Sequence, residues 1–126
     1  MTDLSAGDNL HSLLLNQEKS ILHDQFSEQT ELLLAEQLWE IAVDGASHNR
    51  EEICGWLRQK SFAAHWDVKD FKVERLGDDV ALATYWAKMI APAISESNGA
   101  LHSSIWKLNK AGIWQMAFHQ ATKLKG

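Results

Sequence analysis

Cysteine occurs once, as Cys54, so the 126-residue chain can form no intrachain disulfide and no zinc site built on cysteines. Between Ile53 and Trp56, that thiol reads as a small buried hydrophobe and not as a nucleophile. Basic residues are in deficit. Twelve Lys and Arg against seventeen Asp and Glu leave a net charge of −5, with no basic cluster or RNA-binding aromatic motif, which excludes a nucleic-acid partner. No apolar run approaches the ~20 residues of a membrane span, so no membrane association is expected. The N-terminus lacks the basic and apolar regions of a signal peptide, and the expected location is cytoplasmic. No phosphate-binding glycine loop is present, and Ser104 has no triad pattern around it. No cofactor is implied.

Tryptophan, by contrast, is abundant: six, at 39, 56, 66, 86, 106 and 114. Each brings a large apolar area and one N–H donor, which suits core corners, pocket walls and interfaces. Leu10, Leu13, Leu14, Gln17 and Ile21 have helical spacing, with Asp8 or Asn9 placed as cap. Acids after Ser27 open a second short helix into Leu32-Leu33-Leu34. A strand is predicted from Leu38 to Val43, ended by Asp44-Gly45. Asn49 and Glu52 form a capping-box pattern for a helix that buries Ile53, Trp56 and Leu57. From about Asp67 the period becomes extended. Strands follow around Phe71–Val73, over Val80–Ile90, Leu101–Leu108 and Ile113–Thr122, with a mobile loop at Pro92, Ser95, Ser97, Asn98 and Gly99. With no repeat or linker, the reading is one α+β domain over 1–126, its core at about 10–122. Helices precede a curved antiparallel sheet.

Two stretches carry a family resemblance. The first is Leu33 to Ile41 (LLAEQLWEI), then Asp44-Gly45 and Asn49-Arg50-Glu51-Glu52-Ile53. The second is Ser103-Ser104-Ile105-Trp106, Gly112-Ile113-Trp114-Gln115 and Phe118-His119-Gln120-Ala121-Thr122. Together they resemble nuclear transport factor two-like domains with the cystatin-like cone fold, in a bacterial branch of unknown function related to the SnoaL polyketide cyclases. Leu38, Trp86 and Ala121 stand where that pattern usually has phenylalanine, a basic residue and glycine. The resemblance implies a cone whose concave face and N-terminal helices enclose a pocket, and it matches Glu40 to an acidic strand position. Similar folds host isomerases, cyclases, dehydratases, carriers and assembly modules, so the family does not by itself imply a reaction.

If Asn109–Gly112 is the whole connection, Leu108 pairs with Ile113. Trp106 then faces Gln115, Ser104 faces Ala117 and His102 faces His119 on one side of the sheet. Leu101, Ile105, Trp114, Met116 and Phe118 take the other. Glu40, sharing a strand face with Leu38 and Ala42, is expected to point inward beside His119 as a carboxylate–imidazole pair fit for acid–base work, unless the two simply satisfy each other. His102, His119 and Glu40 invite a metal reading, which is set aside because two histidines across a ladder are more often incidental. Tyr85 is a weaker proton donor to the pocket. Leu38, Trp39, Ser104, Trp106, His102 and Gln115 are the expected ligand contacts. His11, His23, His48 and His65 read as surface groups.

Three functions follow. The first is binding of an unidentified small molecule in the cone. The second is a lyase or isomerase using His119 and Glu40. The third is a protein-binding module of inhibitor or immunity type, with acids at Asp67, Asp70, Asp78 and Asp79 toward a basic partner. Helices that all precede Asp67 cannot cover both faces of a sheet, so a homodimer is expected through Ile105, Trp114, Met116 and Phe118.

Overall fold

The structure is a computed structural model that describes residues 2–60, 64–92, 94 and 97–125, with side chains from Asn9 onward. Helix α1 spans Thr2–His23, and its inward stripe is Leu10, Leu14, Glu18 and Ile21. It starts upstream of the expected cap, so Asp8 and Asn9 lie within it. A single internal Gly7 costs a helix only about 1 kcal/mol and does not stop it. Helix α2, Glu28–Leu32, is capped by Ser27, whose Oγ accepts the Thr30 N–H at 3.3 Å.

Strand β1, Leu34–Ile41, begins earlier than the Leu38 expected. The Met116 N–H bonds the Leu33 carbonyl at 2.8 Å, and Leu34 pairs with Met116, which draws this end of the chain into the sheet. Gly45, at φ +88°, turns the chain into the short strand β2, Ser47–Asn49. Helix α3, Arg50–Gln59, opens with the expected capping box. Asn49 Oδ1 accepts the Glu52 N–H at 2.9 Å, and Glu52 Oε1 accepts the Asn49 N–H at 3.1 Å. It buries Ile53 and Cys54, whereas Trp56 stays 46% exposed, edge-on to His48.

Four long strands complete the sheet: β3 (His65–Gly77), β4 (Val80–Ala91), β5 (Ala100–Leu108) and β6 (Trp114–Lys123). Of the expected loop after β4, Ser95 lies outside the described residues. The strand order is β2-β1-β6-β5-β4-β3. The sheet is mixed, because β1 runs parallel to β6 while the other pairs are antiparallel. No tight hairpin joins β1 to β6, so nothing local imposes an antiparallel pairing on them.

The β5–β6 register differs from expectation. Asn109 Oδ1 accepts the N–H groups of Ala111 and Ile113, both at 2.9 Å, and the Asn109 N–H bonds the Ile113 carbonyl. Ile113 is therefore absorbed into the turn, and Leu108 pairs with Trp114, Lys107 with Gln115 and Trp106 with Met116. A bulge at Ala117 follows. Beyond it Ile105 meets Phe118, Ser104 meets His119 and His102 meets Ala121. Trp114 and Met116 consequently lie in the core with Leu10, Leu14, Leu34, Leu38, Ile53 and Trp106, not on the outer face.

Candidate functional site

Between the concave face of the sheet and helices α1 and α3 lies a cavity of about 870 Å³. It exists because small residues line strands that would otherwise fill it: Ala42 on the β1 side, Ala87 on β4, Ala100 on β5 and Ala121 on β6. Ile21 and Leu22 of α1, Ile53, Trp56 and Leu57 of α3, and Leu38, Trp66 and Met89 supply apolar wall. Such a wall with a few converging polar groups is the usual make-up of a small-molecule site.

Those polar groups form two hydrogen-bonded sets. In the first, His119 Nδ1 lies 2.7 Å from Glu40 Oε2, and His119 Nε2 lies 2.9 Å from His102 Nδ1. The parallel pairing that sets Glu40 beside His119, with both inward, produces the first contact. The second set centres on Glu18 of α1, a carboxylate on a residue only 2% exposed. Its Oε1 accepts the Tyr85 hydroxyl at 2.7 Å and its Oε2 accepts the Trp106 indole N–H at 2.9 Å. The sets touch where the His102 ring stacks on Tyr85, with centroids 4.9 Å apart and planes at 16°. Trp66 stands near-perpendicular to the His102 ring at 6.3 Å.

No family model and no curated protein sequence matches the chain. Solved structures do. A protein of unknown function in nutrient uptake from Rhodospirillum rubrum, itself NTF2-like, superposes with a TM-score of 0.74 at 14% identity, over 90% of this chain and 97% of that one. The association domain of CaMKII from C. elegans gives 0.75 at 12% identity, over 96% and 98%. A candidate ketosteroid isomerase from Parabacteroides distasonis gives 0.67 at 13%, over 89% and 86%. The chain has the NTF2-like fold. At such identities the likeness speaks for the fold alone.

Within this NTF2-like cone, the structure brings together Glu40, His119, His102, Leu38 and Tyr85, all of which line the cavity. Other expected contacts lie elsewhere. Trp39 is 46% exposed on the outer face, tilted against Phe118 at 4.6 Å, because β1 alternation points it opposite to Leu38 and Glu40. Gln115 points away beside Lys107 and donates to the Leu32 carbonyl, a consequence of the shifted register. Trp106 and Ser104 face inward but sit in the packed core, not in the cavity wall. Trp106 is committed to Glu18, and the buried Ser104 Oγ has no hydrogen-bond partner among the described residues. Tyr85 donates its hydroxyl hydrogen bond to Glu18, so it is no free donor to a ligand.

Burial governs the charge states. His102 is driven down to about 3, chiefly by desolvation and then by His119, so it is neutral at neutral pH. Tyr85 is held well above the ordinary phenol value by burial and by Glu18, which keeps its hydroxyl protonated. Lys60, at the end of α3 beside the cavity, is lowered by burial and donates to the Ile21 carbonyl. His23 is likewise lowered by burial. It meets the Trp66 backbone at 3.2 Å, and His11 meets the Phe71 carbonyl at 3.0 Å, so both fasten α1 to β3 and are not free surface groups.

Glu18 was not visible as a site residue, yet the sequence carries its trace. It falls four residues after Leu14 on the apolar stripe of α1, where a carboxylate must find buried donors.

Proposed function

We propose that the chain binds a small, mainly apolar molecule in the cone, its polar end turned toward His102 and His119. The observation that supports this reading is the 870 Å³ cavity itself, apolar over most of its wall and ending on the hydrogen-bonded Glu40–His119–His102 set. Ala87→Phe fills the cavity from the middle of the sheet and tests it. Titration with a panel of small phenols and cyclic ketones, read by tryptophan fluorescence, should show binding to the parent chain. That binding should vanish in the variant while its far-ultraviolet circular dichroism is unchanged. Equal binding by both proteins would refute the cavity as the site.

The 2.7 Å contact between Glu40 and His119 favours a second reading, proton transfer of the lyase or isomerase type. Exchange of α-hydrogens of such ketones into deuterated water, followed by NMR, would reveal it, and no acceleration over buffer would count against it.

We also propose self-association through the outer face, with the residues corrected. Trp39 at 46% and Leu101 at 51% exposure, with half-buried Ile105 and Phe118, form an apolar surface that the helices do not cover. That the CaMKII relative in fold is an association domain supports this. Light scattering should give twice the chain mass, reduced to the monomer in Trp39→Arg. A parent monomer at every concentration would refute it.

A further inference from the structure

We propose that the group meeting the ligand's proton is Nε2 of His102, the open end of a three-residue relay, and that His119 is the member that stores the proton. The inference rests on the cavity being a ligand site and adds the chemistry of what binds there.

The polarity of the hydrogen bonds carries the argument. An ionised carboxylate only accepts, so Glu40 requires a proton on His119 Nδ1. With His119 neutral, its Nε2 then holds a lone pair, and His102 Nδ1 must donate across the 2.9 Å contact. Neutral His102 has no second proton, and its Nε2 is left as a bare acceptor. That atom has no partner among the described residues, and it is not one of the two polar atoms sealed without one, Arg50 Nε and Ser104 Oγ. The ring lines the cavity, stacked on Tyr85 with Trp66 near-perpendicular to it at 6.3 Å. Its orientation is therefore set by the Tyr85 stack on the β4 side and the His119 hydrogen bond on the β6 side.

The relay also resolves how a buried imidazole that resists charge can act as a base. When a ligand's O–H, N–H or acidic C–H is placed at Nε2, its bond to hydrogen breaks and the electron pair stays on the ligand. The proton bonds to Nε2. In concert, the Nδ1–H proton of His102 moves to His119 Nε2. His102 ends neutral with its proton on the other nitrogen, and the positive charge rests on His119, 2.7 Å from Glu40. The reverse sequence returns a proton to the ligand at a neighbouring atom. The ionisable groups near His102 are His119 from β6, Tyr85 from β4, Glu40 from β1 and Glu18 from α1 behind Tyr85, with Lys60, Lys88 and Lys123 elsewhere on the cavity wall. Of these, His119 is the base in contact with it. The ligand class that follows is a compact apolar molecule bearing a proton donor, such as a phenol or an enolisable ketone.

Imidazole ¹⁵N shifts from long-range ¹H–¹⁵N correlation test the relay without any ligand. At pH 8 His102 should carry its proton on Nδ1, with Nε2 bare. On acidification His119 should gain the second proton, and His102 should change to the Nε2–H form while remaining neutral. A His102 found as Nε2–H at pH 8, or charging before His119, overturns the proposal. The ligand half is read with 2-naphthol against 2-methoxynaphthalene, which differ only in the donor. The parent should prefer the naphthol by about two- to tenfold, the span of one net hydrogen bond, and His102→Phe should abolish that preference. Equal affinity in the parent removes the donor preference but leaves the cavity a binding site. Binding of neither compound removes the ligand reading and the preference with it.

Discussion

Glu18 offers the sharpest quantitative test of how the cone is held together. Replacing it with leucine keeps an apolar helix face but leaves two buried donors, the Tyr85 hydroxyl and the Trp106 indole N–H, without acceptors. Trp106 is fully buried and Tyr85 nearly so, which denies both donors water. Each orphaned donor costs about 1–3 kcal/mol, so Glu18→Leu should lose about 2–6 kcal/mol, a large part of an ordinary domain's stability. Glu18→Gln is the informative contrast. Its amide oxygen can still accept from Trp106, but its NH₂ can only donate to the Tyr85 oxygen, so the Tyr85 hydrogen loses its acceptor. One donor is orphaned instead of two, so the expected loss is about 1–3 kcal/mol, about half that of leucine. Urea unfolding followed by tryptophan fluorescence and circular dichroism gives both numbers. The double variant Glu18→Leu/Tyr85→Phe should recover part of the single variant's loss, because one orphan has been deleted. The reasoning fails if Glu18→Leu costs less than ~1 kcal/mol. It fails equally if the Gln and Leu variants are alike, since the number of orphaned donors would then not set the loss.

Two further outcomes follow from the geometry. The folded-state value of His102, near 3, lies below the 6.5 of the free side chain, so below that pH the unfolded chain binds the extra proton. Its contribution to stability is complete above pH 6.5 and is lost as pH falls toward 3, at up to about 1.4 kcal/mol per pH unit. Unfolding free energies at pH 7, 6 and 5 should show this slope in the parent and a shallower one in His102→Gln, and parallel slopes would contradict it. At the β4–β5 end of the sheet, Gly99 has φ +87°, and a Cβ there would lie 2.5 Å from the Trp86 indole, which bonds the Asn98 carbonyl. Gly99→Ala should cost about 1–3 kcal/mol and shift the Trp86 indole N–H resonance, and an unshifted resonance would show that the loop relaxes freely.

Much of the architecture was legible because it rests on local chemistry. The change of period near Asp67 marks the passage from helices to sheet, and Asn49 with Glu52 announces α3 in the sequence as plainly as in the structure. Glu40 was legible as inward because it alternates with Leu38 and Ala42 on one strand face. What stayed hidden depends on partners distant in sequence. The parallel union of β1 with β6 has no local signature. Leu34 joins the sheet only because Met116 is there to pair with it. Glu18 looks like a surface glutamate until Tyr85 and Trp106, far along the chain, are brought to it. The early start of α1 was missed because Asp8 and Asn9 resemble a cap in sequence but lie inside the helix.

The β5–β6 hairpin shows why one error in register spared the site and spoiled the surface. Side chains alternate with period two, so a slip of one residue reverses every facing and a slip of two restores it. The Asn109 side chain draws Ile113 into the turn and shifts the pairing by one, which turns Trp114 and Met116 from the outer face to the core. Ala117 then adds its extra residue and shifts the pairing by one more. Beyond the bulge the parity is again what simple alternation predicts, so His119 faces inward as expected, although it pairs with Ser104 and reaches His102 along the diagonal. That diagonal matters chemically, since it sets Nε2 of one ring against Nδ1 of the other while Glu40 holds the far nitrogen. The bulge thus separates two tasks of one strand: its first half fills the core with Trp114 and Met116, and its second half carries His119 along the cavity wall.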